Sequence, residues 1–83
     1  MTDLHIASFI VRARPEIAAQ VAARIARMPG TEVPAVEAGK IIVVAEAATE
    51  RDLADYMERL REEPDVLMVS LVFHQMDANE VMA

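Results

Sequence analysis

Two histidines, His5 and His74, and two serines, Ser8 and Ser70, are the side chains of this 83-residue chain that could take part in chemistry. Imidazoles can bind a metal or move a proton near neutral pH. His5 and His74 sit near opposite ends of the chain, and would approach each other if the first and last strands were antiparallel neighbours. A metal site needs further ligands, and the acids that the sequence puts nearby are Asp3 and Asp77. The pair is therefore read as a surface or binding-rim feature, with no metal expected. Neither serine has an evident base beside it, so both read as small polar spacers, with no catalytic residue assigned. The chain has no cysteine, which excludes disulfides, thiolate metal sites and cysteine nucleophiles. Its two glycines, Gly30 and Gly39, each fall in a turn, so no glycine-rich phosphate loop is available. No cofactor is expected.

The elements that would position these residues read as strand, helix, strand, strand, helix, strand. "LHIASFIVRA" (4–13) has the β-branched and aromatic content of a strand. "RPEIAAQVAARIARMPG" follows with Ile17, Val21, Ile25 and Met28 at helical spacing, Pro15 in the first turn and "PG" as the stop. "TEVPAVE" is a short strand confined to a sheet edge or bulge by Pro34, and "AGK" turns it into "KIIVVAEA". Thr49 caps a second helix with Leu53, Met57 and Leu60 inward, and "EEPD" closes it. "VLMVSLVFHQ" (66–75) is the last strand, and residues 77–83 are expected to fray. One domain of residues 1–83 follows, of the α+β class with a ferredoxin-like βαββαβ order. Its antiparallel sheet is expected in the order 4-1-3-2 with both helices on one face.

Side chains alternate along a strand, so parity sorts the faces. Ala7, Phe9, Val11, Ile41, Val43, Ala45, Leu67, Val69, Leu71 and Phe73 belong under the helices. Ile6, Ser8, Ile10, Arg12, Lys40, Ile42, Val44, Glu46, Val66, Met68, Ser70, Val72 and His74 fall on the helix-free face. Ile6, Ile10, Ile42, Val44, Met68 and Val72 would make an apolar patch on the order of several hundred Å², rimmed by Arg12, Glu46 and His74. Burying each such side chain would contribute roughly 1.5–3 kcal/mol, so the patch predicts a partner, a second subunit or coverage by the tail.

Composition points the same way. Apolar residues make up 54% of the chain and the mean hydropathy is +0.22, high for a domain with so much surface to keep wet. Fourteen acids against eight bases give a net charge of −6. That charge disfavours a nucleic-acid partner and suits a basic one. The start "MTDLHIASF" has an acid where a signal peptide has its basic region, and no apolar run reaches membrane-spanning length. A cytoplasmic chain with no membrane insertion is expected.

"PDVLMVSLVFHQMD", with "ASFIVRARPE", "MPGTEV" and "GKIIVVAEA", resembles the NapD family over nearly the whole chain and in the same order. "VSLVFHQ" is the most specific piece, with Phe73 where the family pattern has tyrosine. The hairpin around Glu37 to Lys40 is shorter than the family's, so contacts of that loop are not carried over. The resemblance implies a chaperone that binds the twin-arginine signal peptide of NapA, the catalytic subunit of periplasmic nitrate reductase. Binding would delay export until the molybdenum cofactor and iron-sulfur cluster are inserted.

Combined with the faces above, this makes Ile6, Ser8, Ile10, Arg12, Ile42, Val44, Glu46, Met68, Ser70, Val72 and His74 the expected peptide-binding residues. The apolar segment of the signal would lie on the patch, and its arginines would meet Glu46 with Glu32 or Asp77. The chain itself is expected to be a monomer or to self-associate weakly. Two other arrangements fit the residues. The peptide could add as a strand at the edge formed by residues 31–37, or two sheets could face each other in a homodimeric small-molecule-binding protein or enzyme.

Overall fold

The computed structural model describes the backbone of residues 3–78, leaving the side chains of Asp3, Phe73 and residues 75–78 outside the described ones. The strands are β1 (Asp3–Ala13), β2 (Thr31–Glu37), β3 (Lys40–Ala47) and β4 (Val66–Ala78); the helices are α1 (Ala18–Ala26) and α2 (Glu50–Glu62). The sheet is antiparallel throughout, in the order β2-β3-β1-β4. This is the expected ferredoxin-like arrangement. β4 runs on to Ala78, opposite Asp3, two residues into the stretch expected to fray; residues 79–83 lie outside the described residues.

A single 3₁₀ turn, Pro15–Ile17, leads into α1, with proline where its missing N–H costs nothing. Ala18, Val21, Ala22 and Ile25 are buried, the alanines letting the helix lie close to the sheet. Thr31 ends α1 by donating its hydroxyl to the carbonyls of Ile25 (2.9 Å) and Met28 (2.7 Å). At the start of α2 the Thr49 hydroxyl accepts from the Asp52 N–H at 3.1 Å, the expected cap. Arg24 ties the helices together, donating to Glu63 Oε1 (3.1 Å) and to the Pro64 carbonyl (2.7 Å).

The core packs Ala7, Phe9, Val11, Ile41, Val43 and Ala45 of the sheet against Val21, Ile25, Leu53 and Leu60. β1 and β3 therefore show the parity that alternation predicts. β4 does not, because it carries two irregularities. Ala13 pairs with Val66 and Arg12 with Met68, so Leu67 is an extra residue. Phe9 pairs with Leu71 and Ser8 with Phe73, so Val72 is another. Each extra residue reverses the alternation beyond it.

Three expectations are corrected by this. Val66 packs against the core instead of the helix-free face. Leu67 is 66% exposed instead of buried. His74 stands opposite the buried Ala7, on the helix side of the sheet. The expected core position of Phe73 concerns a side chain outside the described ones.

Candidate functional site

Cross-strand register lays out the helix-free face as rows, since residues directly opposite share a face. Glu37, Lys40, Arg12 and Met68 form one row; Ala35, Ile42, Ile10 and Ser70 the next. Glu32, Val44 and Ser8 follow, and then Glu46 and Ile6. The face therefore has an end where the cations Lys40 and Arg12 outnumber one acid, Glu37, and an acidic end at Glu46, with Glu32 on the outer strand. Apolar side chains fill the middle. From Lys40 to Glu46 the strand covers about 20 Å.

Nine of the eleven expected binding residues are brought together here: Ile6, Ser8, Ile10, Arg12, Ile42, Val44, Glu46, Met68 and Ser70. Val72, the unpaired residue of the second irregularity, is 58% exposed at the β4 edge. His74 is the one removed from the face. The aliphatic residues shield one another: Ile6, Ile10, Ile42 and Val44 are half-buried, while Met68 is 50% exposed. At the acidic end a shallow depression is lined by Gly30, Thr31, Glu32, Val44 and Glu46. Two carboxylates thus stand beside one apolar side chain, Val44, an arrangement that can receive a cationic side chain whose stem is apolar.

The edges of the sheet differ from this face. In β2 the pairing breaks between Glu32 and Ala35, around Pro34, as expected for a proline that cannot donate to a ladder. β4 exposes Leu67, Met68, Leu71 and Val72 along the other edge. The sequence reading did not anticipate Leu67 or Leu71 as exposed residues. Leu67 escapes it because "VLMVSLVF" is apolar in either parity; Leu71 stands opposite Phe9 on the expected helix side and is exposed because β4 is an edge strand.

His5 and His74 do meet. His5 Nδ1 and His74 Nε2 are 3.2 Å apart, with His5 8% exposed. Among the described residues the acid beside them is Glu50 of α2; the side chains of Asp3 and Asp77, which the sequence suggested, lie outside the described ones. A gap between α2 and β4, lined by Ala7, Phe9, Leu53, Met57, Leu71 and His74 among others, opens next to this group. Among the described residues, no helix is long and apolar enough to cross a membrane.

A family model described as NapD protein matches residues 4–78. The chain is 42% identical over 72 residues to chaperone NapD of Paracoccus pantotrophus, covering 87% of this chain and 64% of that relative's length. It is 35% identical over 78 residues to chaperone NapD of Escherichia coli K12, covering 92% of this chain and 90% of that one. The solution structure of the E. coli Tat proofreading chaperone protein NapD superimposes with a TM-score of 0.82 at 31% identity, over 98% of this chain and 86% of that one. An AsnC-family transcriptional regulatory protein from Pyrococcus furiosus, 14% identical with a TM-score of 0.70, shares the fold alone. The matched relatives are named chaperones, which points away from enzymes. This chain belongs to the NapD family.

Proposed function

We propose that the chain is a chaperone for a NapA-type catalytic subunit of periplasmic nitrate reductase. It binds that subunit's twin-arginine signal peptide on the helix-free face and delays export until the molybdenum cofactor and iron-sulfur cluster are inserted. The observation that carries this reading is the polarity of the face: an apolar middle, carboxylates Glu32 and Glu46 at one end, and cations Arg12 and Lys40 at the other.

That polarity gives the peptide one direction. Paired arginines are attracted to the Glu32 and Glu46 corner and repelled from Arg12 and Lys40. The apolar segment then runs over Val44, Ile42, Ile10 and Met68 towards the basic end. About 20 Å of strand matches a helix of about 13 residues, within the usual length of a signal peptide's apolar region. An amphipathic helix laid on this platform would bury the half-exposed aliphatic side chains and gain affinity from them. The β2 edge is a poorer acceptor for an added strand, because the Pro34 break interrupts its regular backbone ladder.

Calorimetric titration with a synthetic NapA-type signal peptide, and with the same peptide carrying glutamine in place of both arginines, tests the proposal. Submicromolar binding that weakens in the glutamine peptide, with a negative heat-capacity change, is the expected result. No heat and no melting shift with either peptide would overturn it. A stable dimer at low micromolar concentration would move the patch to a homodimer interface instead.

A further inference from the structure

The group formed by His5, His74 and Glu50 lies on the helix side of the sheet, away from the face assigned to the peptide. One ligand atom from each of the three falls within 4.8 Å of the others. Three elements meet there: β1 brings His5, the stretch of β4 beyond Val72 brings His74, and the first residue of α2 brings Glu50. His74 reaches the site through its pairing opposite Ala7, with Val72 accommodated as an extra residue of β4.

The geometry points to a binding site for a borderline divalent cation, Zn²⁺ in the first instance, held by His5 Nδ1, His74 Nε2 and a Glu50 carboxylate oxygen with water in the fourth position. Zinc–nitrogen bonds of about 2.0–2.1 Å at tetrahedral angles put two ligating nitrogens about 3.3–3.4 Å apart. His5 Nδ1 and His74 Nε2 are already 3.2 Å apart. His5 is 8% exposed, so its ring is held by packing, while His74 and Glu50 are exposed and free to turn onto an ion. The ion has a way in, since the gap between α2 and β4 is lined by both Glu50 and His74.

Two imidazoles and one carboxylate form a donor set suited to zinc and its late first-row neighbours and unsuited to Mg²⁺ or Ca²⁺, which take oxygen ligands. Without an ion, one of the two facing nitrogens carries the proton of their shared hydrogen bond. With the ion bound both must be bare, so the proton of the donating ring moves to its other nitrogen. The bound ion would link β1, β4 and α2 at one point and raise the melting temperature as its concentration rises above Kd.

The test is calorimetric titration of the full chain, free of any polyhistidine tag and stripped with a chelator, with Zn²⁺ alone. The wild type, His74→Ala and Glu50→Gln are compared, and the imidazole resonances are followed by NMR. One Zn²⁺ per chain is expected, with the His5 and His74 ring signals moving together. Affinity should fall by at least about tenfold in His74→Ala and measurably in Glu50→Gln. Both variants alter exposed side chains and are expected to fold, which their melting curves check. Millimolar Mg²⁺ should not compete. Absence of binding by the wild type, or equal affinity in wild type and His74→Ala, would overturn the site.

Discussion

Val44 stands between Glu32 of β2 and Ser8 of β1, and also lines the depression that Glu32 and Glu46 flank. It is the residue at which the apolar and acidic parts of the proposed peptide site meet. Val44→Asp places a charge where an apolar helix would lie and should weaken signal-peptide binding by at least about tenfold. Val44 is half-buried and outside the core cluster, so the variant should lose only about 1 kcal/mol of stability, read from its melting curve. Unchanged affinity would place the peptide elsewhere. Glu32 and Glu46 act on a different part of the ligand. Replacing both by glutamine should weaken the arginine peptide but not its glutamine counterpart, with a coupling of about 0.2–1 kcal/mol per exposed pair.

At the scale of elements, β1 and β3 are legible by alternation, because their inward positions are apolar apart from His5 and several outward ones, Ser8, Arg12, Lys40 and Glu46, are polar. β4 was legible as a strand but not in register. Its run from Val66 to Phe73 is apolar except at Ser70, so a one-residue slip changes nothing that a hydrophobic pattern can detect. The extra residues Leu67 and Val72 are settled by pairing with β1, which is long-range information. Glu50 escaped notice beside the histidines for the same reason: it reaches them through the docking of α2, with no trace in local spacing. The irregularities also interrupt an exposed edge strand, which discourages chain-to-chain pairing.

If Val72 is only accommodated by the ladder, deleting it should leave Phe73 opposite Ser8 and His74 opposite Ala7. The His5 and His74 rings should then remain in contact, seen as nuclear Overhauser effects between them. Loss of that contact would contradict the assigned register. The β2–β3 hairpin offers a stability test of its own. Its two-residue loop holds Ala38 at φ 52° and Gly39 at φ 83°, the left-handed pair that the twist of a tight hairpin demands. A Cβ on Gly39 would lie 2.5 Å from the Ala13 carbonyl oxygen. Gly39→Ala should cost about 2 kcal/mol, whereas Ala38→Gly should stabilise by about 0.5–1 kcal/mol in chemical denaturation.

For the whole molecule, the net charge of −6 and the polarity of the helix-free face act at different ranges. The overall charge draws in a basic peptide and should make the association rate fall as salt rises, while dissociation changes little. The face sets where and in which direction the peptide settles. The zinc site lies behind the same sheet, so filling it should leave the peptide's contact surface intact. In the proposed complex the peptide is located on that surface and nowhere else on the chain. This location is tested most directly by assigning the backbone amides of the isotopically labelled chain and following them by NMR as the NapA-type signal peptide is added. The largest shifts should fall on Ser8, Ile10, Ile42, Val44, Met68 and Ser70, with Glu32 and Glu46 responding only to the peptide that keeps its arginines. Shifts confined to the β2 edge, or to α1 and α2, would contradict it.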